Sequence, residues 1–108
     1  ANMRPDPMGV NKMMVVLVYD ISSKDNGGKR RLQRISRVCR NWGTPVQNSV
    51  FECEINADQY RQLKEQISEL ICRDQDSVRF YLLGNRFRQR IEVIGKERIL
   101  WDRELFVI

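Results

Sequence analysis

The sequence predicts an α+β fold in which two helices pack on one face of an antiparallel sheet. A continuous apolar run over residues 13–18 predicts a buried first strand, and alternation over 50–55 predicts a half-buried one. Apolar residues recur at helical spacing over residues 29–42 and again over 57–71. At 108 residues, the chain is long enough for one domain with its own hydrophobic core.

The first predicted strand ends at an acidic residue. Six apolar residues are followed by Tyr19 and Asp20, and then by a polar loop with two glycines. We expect the Asp20 carboxylate to lie at the mouth of the fold, half in the core and half in water. That position suits a metal ligand or an acid–base group. The alternative is that Asp20 only accepts backbone N–H groups at the start of the turn.

The first predicted helix, residues 29–42, is basic, and a Gly-Thr-Pro stop signal follows it. On a helical wheel, one exposed ridge is formed by Arg30, Arg34 and Arg37. This ridge is either a nucleic-acid-binding face or an ordinary solvated face. Arg31 falls inside the apolar arc of the first turn, where it either pairs with Asp20 or holds a phosphate beside it.

The middle of the chain predicts a second strand and a second helix. Residues 46–55 are interpreted as one strand, although its first residues, 47–49, are polar. Asn56 and Gln59 have the spacing of a capping box at the start of the second helix. The apolar stripe of this helix faces the sheet and its acidic residues face solvent, so we assign it to the scaffold.

The last third of the chain predicts two more strands, residues 77–83 and 91–94. Between them, every second residue from 86 to 90 is an arginine, and an extended backbone would place these three guanidinium groups on one side. The apolar tail, residues 98–108, predicts an extra strand. That strand adds to the sheet of its own chain or to the sheet of a second copy.

The distribution of charge favours a polyanionic partner. The net charge is +5, with seven basic residues and one acid over residues 24–40. Residues 52–76 contain seven acids and three bases. A basic half beside an acidic half predicts a face for nucleic acid, and the alternative is a soluble protein with an uneven surface.

Composition excludes several kinds of chemistry. The chain contains no histidine, which rules out Ser-His and Cys-His catalysis and histidine zinc sites. Its three cysteines occupy apolar positions, as expected for core residues in a reducing, cytoplasmic compartment. No apolar run approaches the length of a membrane span. Residues 1–12 are predicted to be a flexible arm or a cloning remnant.

The mixture of predicted strands and helices indicates an architecture. We interpret it as the split βαβ of a ferredoxin-like βαββαβ sandwich with a short extra C-terminal strand. We assign this domain to residues 13–97. Two helices cover only one face of such a sheet, while the first strand is apolar throughout. A homodimer that stacks sheet on sheet would cover the second face.

A resemblance to a known family is carried by the basic helix together with residues 15–21, 47–52, 76–82 and 93–95. In these segments the sequence resembles the CRISPR-associated Cas-two family, the small subunit of the spacer-acquisition machinery. The resemblance implies a ferredoxin-like homodimer with exchanged tail strands, which binds duplex DNA between two dimers of a larger integrase subunit. It also implies magnesium-dependent nuclease activity on RNA or double-stranded DNA. The metal-binding aspartate of the family maps onto Asp20, and its basic helix residues map onto Arg30 and Arg31.

These observations favour an enzyme, with Asp20 as the catalytic residue and the metal ligand. A two-fold dimer offers two Asp20 side chains to one shared Mg²⁺ ion. The nucleic acid is predicted to be duplex DNA, with single-stranded RNA as the alternative. The residues predicted to bind it are Lys29, Arg30, Arg31, Arg34, Arg37, Arg86 and Arg88. Two alternatives stay open. One is a non-catalytic scaffold that holds nucleic acid for the integrase, and the other is a regulatory dimer that binds a small ligand.

Overall fold

The computed structural model describes residues 11–24 and 26–96. The elements in chain order are β1 (Met13–Asp20), α1 (Gly28–Trp42), β2 (Thr44–Gln47), β3 (Val50–Ile55), α2 (Ala57–Leu70), β4 (Ser77–Gly84) and a 3-10 helix (Phe87–Arg90). Within these residues, neither α-helix combines the length and apolar character needed to cross a membrane.

The four strands form one antiparallel sheet in the order β2-β3-β1-β4. The strand with the longest apolar run, β1, therefore lies in the interior of the sheet between β3 and β4. This order, with a helix after β1 and another after β3, is the ferredoxin-like arrangement. The predicted α+β fold is confirmed.

The core lies between the sheet and the two helices. The sheet contributes the inward side chains of β1 and β3, and each helix contributes one apolar stripe. The buried residues of this cluster are Val15, Leu17, Tyr19, Ile35, Cys39, Phe51, Cys53, Ile55, Leu63 and Ile67. Alternation in the strands and three-to-four spacing in the helices place these residues inward, as the sequence predicts.

The second helix begins at the predicted capping box. The Asn56 side chain accepts a hydrogen bond from the Gln59 backbone N–H at 2.8 Å. In return, the Asn56 backbone N–H donates to Gln59 Oε1 at 2.8 Å. Two N–H groups that the helix itself cannot satisfy are thereby bound.

The prediction of one strand over residues 46–55 is wrong. The chain forms a hairpin there, in which β2 pairs with β3 and Gln47 lies opposite Val50. Asn48 and Ser49 form the turn, and both are residue types that favour turns. Pro45 lies in the edge strand β2, where its missing N–H is tolerated.

The predictions of an extended arginine segment and of a strand over residues 91–94 are also wrong. Residues 87–90 form the 3-10 helix, and residues 91–96 form no strand. Phe87 is buried, and the Arg90 Nη1 donates to the Leu83 carbonyl at 2.9 Å. The buried aromatic ring and the arginine fold the chain back after β4, so the alternating arginines do not share one side. The predicted arm up to residue 10 and the tail, residues 98–108, lie outside the described residues.

The face of the sheet opposite the helices carries exposed apolar side chains. Val16 lies opposite Tyr81, and Val18 lies opposite Arg79, on this outer face. Val16 and Val18 are half-buried, and Tyr81 is 47% exposed. Both α-helices pack on the opposite face, which leaves Val16, Val18 and Tyr81 partly or largely exposed. The homodimer that would cover it stays a prediction.

Candidate nucleic-acid and metal site

Asp20 is the last residue of β1, and the sheet fixes its backbone. It lies opposite Ser77, the first residue of β4. Asp20 is exposed, whereas the sequence predicted half burial. The backbone N–H of Ser22, two residues further on, is bound by the carboxylate of Asp76 rather than by Asp20. The turn after β1 is therefore held by a different acid from the one that the sequence indicates.

Asp76 joins three segments of the chain around that turn. Its buried carboxylate accepts hydrogen bonds from the backbone N–H groups of Ser22 at 3.0 Å and Cys72 at 2.8 Å. It also accepts two hydrogen bonds from Arg31, from Nε at 2.7 Å and from Nη2 at 3.1 Å. This is the bidentate geometry of a strong arginine–carboxylate pair. The loop after β1, helix α1 and the turn before β4 are thus tied to one side chain.

The Asp76 pair is charged at neutral pH. Burial raises the pKa of the Asp76 carboxyl, but hydrogen bonds from Arg31, Cys72 and Ser22 outweigh this effect and hold the pKa below its usual value. The sequence left Arg31 with two partners, Asp20 or a phosphate. The structure pairs it with Asp76 instead. The role of Arg31 in nucleic-acid binding stays a prediction.

Helix α1 begins in close contact with the loop that follows Asp20. A Cβ on Gly28, the first residue of α1, would lie 2.8 Å from the Ser23 Cα and would also overlap the Ser22 carbonyl oxygen. Only glycine allows the helix to start against this backbone. The position of the loop is therefore set by the close approach at Gly28 and by the hydrogen bonds of Asp76.

A cleft opens on the other side of Asp20, between α1 and the turn of the β2–β3 hairpin. Its lining includes Asp20, Arg37, Arg40 and the turn residues Asn48 and Ser49. Tyr19 forms its floor. The Tyr19 backbone N–H donates to the Ser49 carbonyl at 3.1 Å, and its hydroxyl donates to the Asn48 carbonyl at 3.0 Å. The cleft thus has a fixed floor, a carboxylate at one edge and two guanidinium groups in its wall.

The structure separates the predicted nucleic-acid residues into two groups. Four of these predicted residues are exposed on α1, namely Lys29, Arg30, Arg34 and Arg37. Arg86 and Arg88 are exposed beyond Gly84, which lies opposite Met14 near the start of β1. Because β1 spans about 20 Å between Met14 and Asp20, this second group lies far from Asp20 within one chain. Of these two groups, the basic face of α1 is the one that adjoins the Asp20 end of the sheet.

Sequence reasoning missed two residues of this region. Arg40 was counted among the basic residues but was not assigned to a site, because the wheel places it beside the ridge rather than on it. Asp76 was not assigned to a site either. The available signal was an acid that directly precedes a half-buried strand, a position from which a side chain reaches the end of the sheet. Two of the partners of Asp76, Arg31 and Ser22, are 45 and 54 residues away in sequence.

Comparison with known proteins gives the family. The family model for CRISPR associated protein Cas2 matches residues 13–91. The CRISPR-associated endonuclease Cas2 of Halalkalibacterium halodurans is 41% identical over 83 residues, which cover 77% of this chain and 86% of that protein. The CRISPR-associated endoribonuclease Cas2 of Nitratidesulfovibrio vulgaris is 40% identical, over 81% of this chain and 85% of that protein. This chain belongs to the Cas2 family.

A solved Cas2 structure has the same fold. The crystal structure of Streptococcus pyogenes Cas2 superposes on this chain with a TM-score of 0.66 and 37% sequence identity. The match covers 77% of this chain and 100% of the Streptococcus pyogenes chain. The Cas-two resemblance seen in the sequence is therefore confirmed. The segment that matches the Cas2 family model includes both Asp20 and Asp76, as well as the whole of α1.

The donor set of this Cas2-family chain suits magnesium better than zinc. Among the residues that the structure describes, no three His, Cys, Asp or Glu side chains are grouped as metal ligands. Zinc in a structural site needs four such ligands. Mg²⁺ is usually held by one or two carboxylates, several waters and the phosphates of a substrate. One exposed carboxylate beside a cleft lined by two arginines fits that second pattern.

Proposed function

We propose that this chain is the small, cytoplasmic subunit of a CRISPR spacer-acquisition system and a magnesium-dependent endonuclease that cuts phosphodiester bonds in RNA or DNA. The observation that carries the proposal is the position of Asp20. It is exposed at the end of a strand in the interior of the sheet, beside a cleft lined by Arg37 and Arg40. Relatives at about 40% identity are named endonuclease and endoribonuclease.

In the proposed mechanism, Asp20 would hold Mg²⁺ together with the Asp20 of a second copy in a two-fold dimer. When bound, the ion would activate the scissile phosphate and the attacking water. Arg37 and Arg40 bind the phosphate oxygens and stabilise the negative charge that develops on them. Asp76 keeps the loop after Asp20 in place through Ser22 and Arg31. No histidine is needed for these roles.

The test is a cleavage assay with single-stranded RNA and duplex DNA, in Mg²⁺ and in EDTA. We expect Asp20→Asn to lower the cleavage rate by more than about a hundredfold, because an amide is a weaker ligand for a hard cation. The matched control is Asp58→Asn, which removes an exposed carboxylate from α2, away from the cleft. It should retain the wild-type rate.

Two results would contradict the proposed activity. One is cleavage by Asp20→Asn at the wild-type rate, and the other is cleavage that persists in EDTA. Circular dichroism and size-exclusion chromatography of Asp20→Asn provide the control for folding. Because Asp20 is exposed, the substitution leaves the core unchanged.

A second candidate function is that of a non-catalytic scaffold that holds duplex DNA for a larger integrase subunit. It is favoured by the exposed basic residues of α1, which extend beyond the cleft to Lys29, Arg30 and Arg34. The Asp20→Asn variant also separates the two candidates. If this variant supports spacer integration at the wild-type level while an Arg30→Glu, Arg34→Glu double variant does not, the scaffold function is supported and the carboxylate is dispensable for it.

A further inference from the structure

The outer face of the sheet carries charges of opposite sign on the two strands that flank β1. Strand β3 contains two acids and no base, whereas β4 contains one base and no acid. Glu52 lies opposite Val16, which puts Glu52 and also Glu54 on the outer face. Arg79 lies opposite Val18 and is exposed on the same face. The apolar side chains of β1 therefore lie between an acidic strand and a basic one.

The Arg79 side chain extends towards the row of residues that contains Glu52. Its Nη1 donates a hydrogen bond to the Tyr81 hydroxyl at 3.2 Å. Tyr81 lies opposite Val16 on one side of β1, and Glu52 lies opposite Val16 on the other side. The guanidinium group and the carboxylate are thus at the same height along the strands, on opposite sides of β1.

Asp20 determines how a second copy can be placed on this face. Strand alternation puts Asp20 on the same face of β1 as Val16 and Val18. Two copies stacked face to face bring both Asp20 residues to one end only if the two-fold axis runs along β1, because an axis across the strands puts them at opposite ends. An axis along β1 sets β4 of one copy over β3 of the other. Arg79 then faces Glu52 of the second copy, and symmetry repeats the contact.

The charges select the same axis independently of Asp20. An axis across the strands would set β4 over β4, and Arg79 would meet no acid there because β4 contains none. A covered charge without a partner is unfavourable. In aligned packing, two sheets lie about 10 Å apart. An arginine and a glutamate that extend from opposite sides bridge such a gap.

We propose that Arg79 and Glu52 form two symmetry-related ion pairs between copies of this chain, which select an identical chain as partner and fix its orientation. The inference rests on the dimer that the proposed nuclease function requires, and it adds the residues that determine partner and register. A partner without the matching acid or base leaves a charge unpaired in the interface and is disfavoured. The orientation that the pairs select places both Asp20 side chains at one end.

An exchange of charges tests the proposal. Arg79→Glu and Glu52→Arg are purified separately, and dimerisation is measured by sedimentation equilibrium. We expect each variant alone to raise the dissociation constant of the dimer by more than about tenfold, because like charges then face each other at two positions. An equimolar mixture should dimerise as the wild type does. In the mixed dimer the introduced acid faces the introduced base, and the native Arg79 and Glu52 still face each other.

The matched control is Glu54→Arg, which changes an exposed acid on the same strand and face, about 7 Å further along β3. It should raise the dissociation constant by less than about threefold. Its mixture with Arg79→Glu should dimerise no better than Arg79→Glu alone. Circular dichroism and urea denaturation of each variant provide the control for folding.

A second pair of variants, Arg79→Gln and Glu52→Gln, removes the contact without introducing a new charge. Each variant should weaken dimerisation, and the double variant should lose less than the sum of the two, because both substitutions remove the same contact. Fully additive losses would overturn the proposal. This cycle keeps the test decisive if Glu52→Arg does not fold.

A mixture of Arg79→Glu and Glu52→Arg that dimerises no better than either variant alone would also overturn the proposal. So would dimerisation of either charge-reversed variant with the wild-type dissociation constant, or equal recovery with Glu54→Arg. Failure of the nuclease proposal gives a different result. In that case Asp20→Asn retains cleavage, while the recovery of the dimer in the mixture is unaffected.

Discussion

Asp20 and Asp76 lie at the same end of the sheet, because Asp20 is opposite Ser77, the residue after Asp76. Their surroundings give them different roles. Asp76 is buried and accepts hydrogen bonds from Arg31, Ser22 and Cys72, so it acts within the structure. Asp20 is exposed at the edge of a cleft, where its oxygens are accessible to a cation and to substrate.

The role assigned to Asp76 predicts a loss of stability in Asp76→Asn. A neutral amide cannot form the charged pair with Arg31. It also accepts the hydrogen bonds from the Arg31 Nε and from the two backbone N–H groups less well than a carboxylate does. We expect the free energy of unfolding at pH 7 to fall by about 3 kcal/mol, measured by urea denaturation. The control Asp58→Asn breaks only an exposed pair with Arg61 at 3.5 Å and should cost less than about 1 kcal/mol.

The same variant isolates the pH dependence of this carboxyl. The pKa of Asp76 is lowered in the folded protein from a usual value of 3.8. Its contribution to stability is therefore complete above that value and is lost as the pH falls through the lower, folded-state pKa. The difference in stability between wild type and Asp76→Asn should shrink below about pH 4. A difference that is constant down to pH 2 would contradict this assignment.

The sequence was sufficient to find Asp20 but not Asp76. Asp20 ends an apolar run, and that local pattern places it at the end of a strand. The importance of Asp76 depends on Arg31, which is 45 residues away, and on the backbone of Ser22, which is 54 residues away. No local pattern contains that information. The cleft was not predicted because one of its walls is the turn at Asn48 and Ser49, which the sequence placed inside a strand.

At the scale of elements, the sequence predicted correctly those features that depend on residues close together along the chain. The capping box at Asn56 and the apolar stripe of α2 depend on neighbours three and four residues apart. The hairpin over residues 44–55 was missed because most of its residues favour strands. Its short polar turn was therefore interpreted as part of a single strand. The 3-10 helix was missed because alternation of Arg86, Phe87 and Arg88 imitates a strand, while burial of Phe87 decides the actual conformation.

The capping box predicts a measurable effect on α2. Asn56→Ala removes the side chain that binds the Gln59 N–H, and we expect a loss of about 1 kcal/mol in the free energy of unfolding. Asn56→Asp, which keeps an acceptor at this position, should retain most of the stability. An unchanged stability of Asn56→Ala, measured by urea denaturation, would show that the cap contributes nothing.

At the scale of the molecule, the helices and the sheet leave one face of the sheet open. The outer face carries Val16, Val18 and Tyr81, and the last is 47% exposed. An apolar sheet face of this kind is typical of an interface. A two-fold dimer that buries it also brings together two copies of the chain, which is the condition for sharing one metal ion between two Asp20 side chains.

The dimer predicts that a charge on the outer face will dissociate the protein. Tyr81→Glu places a carboxylate where the two sheets are expected to stack, and burial of an unpaired charge is unfavourable. Sedimentation equilibrium should give a dimer for the wild type and a monomer for this variant. Gln62→Glu, on the exposed side of α2, is the control and should remain dimeric. A wild-type monomer at micromolar concentration would contradict the prediction.

The central claim is that the Asp20 carboxylate is a metal ligand, and exchange of its donor atom tests this most directly. The measurement is the cleavage rate of Asp20→Cys with Mg²⁺ and with the softer Mn²⁺ or Cd²⁺. Thiolates favour soft cations, so we expect no cleavage in Mg²⁺ and recovery in the softer ion. Burial raises the pKa of the native thiols Cys39 and Cys53 to about 12 and about 11, which keeps them out of the competition. Wild-type cleavage rates for Asp20→Cys in Mg²⁺ would contradict the claim.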